Sequence, residues 1–492
     1  MENGYDPKAR PSYRLLTEEQ IVALHEATIE LLETVGMRVS NDEAVEMCRA
    51  AGCEVKDGGP HGRMVLFPRR LVDAAIASAP KSISVYNRKG QEAMRLEGRN
   101  NYYGLGTDLI HTYDLKTGEM HSTVLQDVVN AAIITDAMPE IDFVASFGLP
   151  HDVPTNTMYI ECVRAMLQNT VKPVFTTAGG HEDLSVIIAM AEEVAGGAEA
   201  LAAKPTLIHY SEPTPPLVHS YGAVRKLFLC ADKGVPICYV PGGILGGTSP
   251  VTLAGGIVQQ NAEMLSGLVL HQLRKPGAPI ITGFACVAMD MRTSVFTYAA
   301  PEFRLTHSAY ADLYHYYGLP MWGTVGSEAM VFDQQAGMDH AFTTLMAAMD
   351  GANLIHDVGY LGQGLIANPA MLVMCNEIIA WVKRFQRGFD ITPETMAVNV
   401  IGKVGPGGGY LQEDHTYKHW KNELWHPKLA NRDNPDGWKA KGCKTYGEVC
   451  AQKALSVLTT HKPAPLPEAT VARLAEIVAE AEKNLAGLHF KA

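Results

Sequence analysis

The sequence predicts an α/β fold: a (β/α)₈ TIM barrel with an N-terminal helical cap and a loop-rich C-terminal extension. Eight short apolar runs alternate with stretches long enough to hold a helix, and strands that alternate with helices imply parallel pairing. A count of eight closes such a sheet into a barrel. The runs also end in polar or aromatic side chains. The stretch "KPTLIHYSEPTPPL" (204–217) passes from a strand-like Thr-Leu-Ile into His209, Tyr210, Ser211 and Glu212, and then into a turn stiffened by three prolines. An open doubly wound sheet is the structural alternative.

Residues 1–95 read as the helical region. "TEEQIVALHEATIELLETVG" opens with Thr17 and Gln20 in capping-box spacing. Ile21, Leu24, Leu31 and Val35 then fall near one face, and Gly36 supplies a stop. "NDEAVEMCRAAG" predicts a second helix from Asn41, and "LVDAAIASAP" a third that ends at Pro80. The barrel is expected over 96–401, with strands in 101–108, 141–150, 172–180, 204–213, 235–243, 278–287, 319–327 and 352–360. Residues 402–492 read as an extension packed on the barrel, with a last helix near "EATVARLAEIVAEAEKNL".

With 492 residues, 47% hydrophobic and 19% charged, the chain is globular. A net charge of −12 without a basic run argues against a nucleic-acid partner. No run of eighteen apolar residues predicts a membrane span, and the first residues lack the layout of a signal peptide. The nine cysteines include no CxxC pair and read as reduced thiols, so the expected location is cytoplasmic.

In a barrel the chemistry sits at the C-terminal strand ends. There this chain places Tyr102, Phe147, His209, Tyr210, Tyr239, Phe284, Trp322 and His356. Rings around a common cavity suit a methylated ammonium, held by cation–π attraction; taken singly, each ring is more simply read as barrel filling, and it is the set that points to a cage. Tyr102, Tyr210, Phe284 and Trp322 are the cage candidates. His209, His356 and Arg292 are candidates for gripping a substrate carboxylate. Glu212, Glu302 and Glu328 are possible acids, with structural ion pairs as the plainer reading. Zinc ligands drawn from Cys238, Cys286, His209 and His356 have no supporting local spacing, so no metal is expected. "GQGLIA" (362–367) fails as a dinucleotide site because Asn368-Pro369 follows it, and "GPGGGYL" (405–411) lacks the Lys of a P-loop. "DLYHYYG" (312–318) has one residue too many for a cobalamin-binding signature, so the chain is not expected to hold a corrinoid itself.

The segments "EEQIVALHEATIELLETVGMRV", "DMRTSVFTYAAPE", "DQQAGMDHAFTTLMAAMDGANLIHDVGYL" and "VGPGGGYLQEDHTYKHWKNELWHPKL" resemble the trimethylamine methyltransferase superfamily over nearly the whole chain. These are corrinoid-protein methyltransferases with (β/α)₈ barrels. Its archaeal trimethylamine enzymes carry pyrrolysine near the segment that here reads "TVGSEAMVFDQQAG". With ordinary residues there the chain resembles the non-pyrrolysine branch, with Glu328 at the start of that region and its role open.

The resemblance implies methyl transfer from a small quaternary amine, best glycine betaine, otherwise proline betaine or carnitine. The acceptor would be the Co(I) form of cobalamin presented by a cognate corrinoid protein. It implies a homo-oligomer and no tightly bound cofactor; the absence of an apolar span adds the expectation of no membrane partner. A zinc-dependent methyltransferase and a non-catalytic betaine-binding protein are the alternatives.

Overall fold

The computed structural model describes residues 6–486. Eight parallel segments pair in sequence order and return to the first. Tyr102–Tyr103 is followed by the bridged pair Phe143 and Val144, then Val174–Thr176, Leu207–Ser211 and Ile237–Tyr239. Ile280–Ile281, Trp322–Thr324 and Leu354–His356 complete the ring. Leu354 lies opposite Tyr102 in parallel register, which closes it. Each segment falls inside one of the eight runs expected from the sequence. They are legible because a strand covered on both faces reads as continuously apolar.

A helix follows each strand. In order they are Leu125–Ala137, Met158–Asn169, His181–Ala195, Tyr221–Lys233, Leu253–Arg274, Pro301–Tyr317, Gln334–Asp350 and Pro369–Arg387. Local chemistry sets several of their ends. Ser220, Asp333 and Asn368 accept backbone N–H groups of the first turn. Gly234, Gly318 and Gly351 close the far ends in the left-handed conformation.

The N-terminal region is not purely helical, contrary to expectation. Helix Glu18–Thr34 carries the expected Thr17/Gln20 capping box, with Gln20 N–H donating to Thr17 Oγ1 at 3.3 Å and Thr17 N–H to Gln20 Oε1 at 2.9 Å. Strands Met37–Val39, Glu54–Asp57 and Arg63–Leu66, however, form an antiparallel sheet. Val218–His219, from the loop after the fourth barrel strand, pairs parallel with Met37–Val39. Helices Glu18–Thr34 and Arg69–Ser78 pack on Leu253–Arg274. This cover explains why the long helix is buried on every side, polar residues included. Asn261 there donates to Thr28 Oγ1 and Tyr317 Oη, both at 3.1 Å, and accepts from Tyr314 Oη at 3.0 Å.

The C-terminal extension is more helical than its glycine-rich start predicts. Tyr446–Thr460 packs on Pro369–Arg387, and Glu468–Asn484 packs on His181–Ala195. No helix among the described residues is long and apolar enough to cross a membrane.

Candidate functional site

A cavity of about 310 Å³ opens among the loops at the C-terminal ends of the strands. One wall is aromatic and comes from strand interiors. Tyr210, Trp322 and Phe175 surround His356, with ring centroids 5.6, 5.1 and 5.2 Å from the imidazole. The opposite wall comes from an antiparallel hairpin inserted after the sixth strand, Val287–Asp290 with Val295–Thr297. It delivers Phe296 and Tyr298, whose centroids lie 5.9 Å apart. Tyr298 in turn meets Phe303 and Tyr360 edge-on, each at 6.2 Å.

Three carboxylates, Asp108, Glu212 and Asp357, share this space. Asp108 and Asp357 follow the first and last strands at φ of +72° and +69°. Aspartate is one of the few non-glycine residues that tolerates the left-handed region. Such backbone collects at functional sites. Asp108 accepts from Thr107 Oγ1 at 2.9 Å and from Thr177 Oγ1 at 3.2 Å. Asp357 Oδ2 accepts from Thr324 Oγ1 at 2.6 Å. Gly106 makes this approach possible, because a side chain there would run into Asp357 Oδ1 and Tyr360 Oη.

Burial, with a contribution from the Asp357 charge, raises the Asp108 carboxyl above the usual range. Glu212 opens onto the cavity, yet the protein around it limits hydration, and its carboxyl is pushed up to about 7. It accepts no hydrogen bond and makes no ion pair among the described residues. Burial keeps the Tyr210, Tyr298 and Tyr360 phenols neutral. His356 Nδ1 lies 3.0 Å from Asp357 Oδ1 but out of hydrogen-bond alignment, so both ring nitrogens are unpartnered.

Of the expected residues, Tyr210, Trp322 and His356 line the cavity. His209 does not: side chains alternate along a strand, so it leaves on the face opposite Tyr210 and is buried. Burial depresses its imidazole well below the usual value, and neither ring nitrogen has a partner. Tyr102 begins the first strand, at the end away from the cavity. Phe284 is core, packed on Tyr310 at 4.8 Å, while its neighbour Ala285 faces the cavity. Arg292 sits at the hairpin turn, 88% exposed, with Nη2 on Asp290 Oδ2 at 2.7 Å. Phe147 lies against Tyr360, with centroids 6.4 Å apart, and Tyr239 Oη meets His219 Nδ1 in the core at 2.8 Å.

Glu302 is exposed. Glu328 lies beside the cavity, where its Oε1 accepts the backbone N–H groups of Tyr298 and Ala299. Cys238, Cys286, His209 and His356 form no metal-binding group, nor do any three His, Cys, Asp or Glu among the described residues. Asp108, Asp357, Phe296, Tyr298 and Tyr360 were not singled out in the sequence. The available signal was an acid immediately after a strand run, in "GTD" and "HDVGY".

The barrel aligns with the crystal structure of the Methanosarcina barkeri monomethylamine methyltransferase at TM-score 0.53 and 12% identity, over 97% of this chain and 90% of that one. A trimethylamine methyltransferase of Desulfitobacterium hafniense is 33% identical, covering 95% of this chain and 93% of its own length. A glycine betaine methyltransferase of the same species is 28% identical, covering 96% and 98%. A trimethylamine methyltransferase of Methanosarcina barkeri is 31% identical, covering 99% and 98%. The sequence pattern of one family, described as Trimethylamine methyltransferase (MTTB), matches residues 5–486. The chain is therefore a methyltransferase that belongs to the trimethylamine methyltransferase family.

Proposed function

We propose that the protein moves a methyl group from a small quaternary amine to the Co(I) centre of a separate corrinoid protein, in the cytoplasm. The carrying observation is the cavity itself. It pairs the rings of Tyr210, Trp322, Phe296 and Tyr298 with three carboxylates, and its lining offers no thiol and no lysine as a nucleophile. Aromatic faces and carboxylates together hold a cation. The family likeness supports the corrinoid acceptor, and a relative named as a glycine betaine methyltransferase supports a quaternary amine as the substrate class.

The corrinoid supplies the nucleophile that takes the methyl group. What this chain must do is narrower. The nitrogen already bears a full positive charge, so a neutral tertiary amine leaves and no general acid is required. The rings hold the cation and aim one methyl at the mouth, which is catalysis by positioning. Holding the cation too tightly would stabilise the ground state more than a transition state in which the charge is fading.

Around the mouth, the strand–helix loops expose Ile110, Val251, Met291, Met330 and Leu365. This apolar rim fits an incoming protein. A second exposed set, with Leu411 at 93% and Tyr417 at 82%, lies in the C-terminal extension and supports a homo-oligomer.

The test is a visible spectrum of cob(I)alamin mixed with the protein and one amine at a time. Loss of the Co(I) band with growth of the methyl-cobalamin band is the expected result. No change with any amine, using cob(I)alamin and then a cognate corrinoid protein, would sink the proposal.

A further inference from the structure

The cavity's charge is one-sided. Among the described residues that line it, three are carboxylates and none is lysine or arginine. The nearby cations stand behind the wall, from where the charge of Lys226 acts on Asp108 and Glu212. Arg304 is 2% exposed, stacks on the Phe303 ring at 4.3 Å and donates Nη1–H to Thr324 O at 2.8 Å. Lys226 donates to Ala178 O at 3.1 Å, and neither side chain is part of the cavity wall. Arg292, expected to grip a substrate carboxylate, is instead bound to Asp290 out on the hairpin turn.

The Trp322 Nε1–H has no partner, and neither has either ring nitrogen of His356. The His356 Nδ1, however, lies 3.0 Å from Asp357 Oδ1. A carboxylate drawn to that ring would come to rest beside Asp357, and like charges brought together without a counter-ion repel. The threonine hydroxyls are already engaged: Thr107 and Thr324 donate to Asp108 and Asp357. Glu212 is free to face a cation directly.

We infer that the site selects a quaternary ammonium whose remaining substituent is uncharged, such as tetramethylammonium or choline, over betaines that carry a carboxylate. This rests on the methyltransferase reading for its consequence, but the selectivity is a property of the cavity alone. A betaine has no net charge, and its anionic end would enter a field made by Asp108, Glu212 and Asp357. A carboxylate-free ammonium meets only attraction. Specificity of this kind comes from repelling the wrong ligand as much as from holding the right one.

The experiment is calorimetric titration of the full chain with tetramethylammonium, choline and glycine betaine as separate probes. At least one carboxylate-free cation should bind roughly tenfold or more tightly than glycine betaine, as expected for loss of a complementary charge contact and gain of a repulsive one. Glu212→Gln should bring that ratio down severalfold, chiefly by weakening the carboxylate-free ligand. Should Glu212→Gln prove unfolded by circular dichroism, Asp108→Asn serves the same purpose, because an amide oxygen still accepts from Thr107 and Thr177.

Glycine betaine binding as tightly as both cations, or a ratio unmoved in folded variants, overturns the inference. Binding of none of the three probes also overturns it. Parallel cob(I)alamin assays separate the two levels. Selective binding without methyl transfer would leave the cavity's preference standing and remove the methyltransferase reading. Efficient demethylation of glycine betaine alone would do the reverse.

Discussion

Glu328 Oε1 accepts the backbone N–H of Ala299 at 2.8 Å and that of the adjacent Tyr298, so a carboxylate after the seventh strand fixes the hairpin that carries one wall of the cavity. Burial raises the Glu328 carboxyl above its usual range, and the Ala299 N–H works against that shift. It ties down the backbone at Tyr298.

Removing this anchor should loosen the wall without touching the rings themselves. Glu328→Ala leaves two backbone donors unsatisfied at a cost of about 1–3 kcal/mol. KM for the amine should rise by roughly tenfold. Glu328→Gln keeps an acceptor oxygen and should lie between the variant and the parent. Steady-state KM and kcat, measured separately, check this. A Gln variant as impaired as the Ala variant would instead point to the charge itself.

Two aromatic residues at neighbouring strand ends should respond in opposite ways. Trp322 lines the cavity, whereas Phe284 is fully buried against Tyr310 and Tyr314. Trp322→Phe exchanges the strongest cation–π ring for a weaker one and should weaken cation binding by about 1 kcal/mol, severalfold. Because Trp322 is only 2% exposed, it should also lower Tm, though less than truncation of a core ring does. Phe284→Ala should lower stability by about 3–5 kcal/mol and leave the affinity of the folded fraction unchanged. Paired calorimetry and thermal unfolding distinguish the two.

Affinity for a cation should rise with pH through neutrality. Glu212 titrates near 7 because the surrounding protein disfavours its charged form. Below that pH the group is protonated and offers a cation no charge. Above it the carboxylate is ionised and attracts. A bound quaternary ammonium favours the ionised form, so binding releases protons on the acid side. Kd for tetramethylammonium should fall between pH 6 and 8, and Glu212→Gln should flatten the profile.

Glu263 makes the corresponding case for stability. It is buried in helix Leu253–Arg274, its Oε1 accepts from Leu217 N–H and Gln259 Nε2–H, both at 2.9 Å, and its Oε2 has no partner. Burial pushes its carboxyl up to about 7. In the unfolded chain the group titrates near 4.3. Between those values the folded state binds more protons than the unfolded one, so this group makes stability fall as pH rises from about 4.3 to 7. Glu263→Gln should remove that slope, as Tm measured across pH 5 to 8 would show.

The barrel was far more legible in the sequence than the site. Strands such as Ile237–Tyr239 are covered on both faces and read as unbroken apolar runs. That property hides which side chain faces inward. His209 and Tyr210 are adjacent in sequence and equally prominent at the strand end, yet period two sends only Tyr210 to the cavity. Tyr102 was misplaced because its run, 101–108, begins with the strand and ends with the loop that holds Asp108. Tyr298 was invisible for a different reason: it comes from a hairpin inserted between a strand and its helix, where neither period applies. Two of the three acids of the cavity, Asp108 and Asp357, sit on irregular backbone at positive φ, beyond the reach of apolar patterning.

The rim offers a way to separate partner recognition from chemistry. Met291 is 65% exposed and Met330 54%, and both lie on loops that follow barrel strands. If these loops receive a corrinoid protein, a charge introduced there disfavours docking without altering the rings or carboxylates within. Met330→Glu and Met291→Glu should therefore slow methyl transfer to the cognate corrinoid protein by roughly tenfold or more, the range of a central interface contact. Transfer to free cob(I)alamin, which presents no protein surface, should be unchanged. Equal loss with both acceptors would place these methionines at the cavity rather than at a docking surface. Loss with neither would move the partner's footprint to another part of the rim, with Ile110, Val251 and Leu365 the next residues to change.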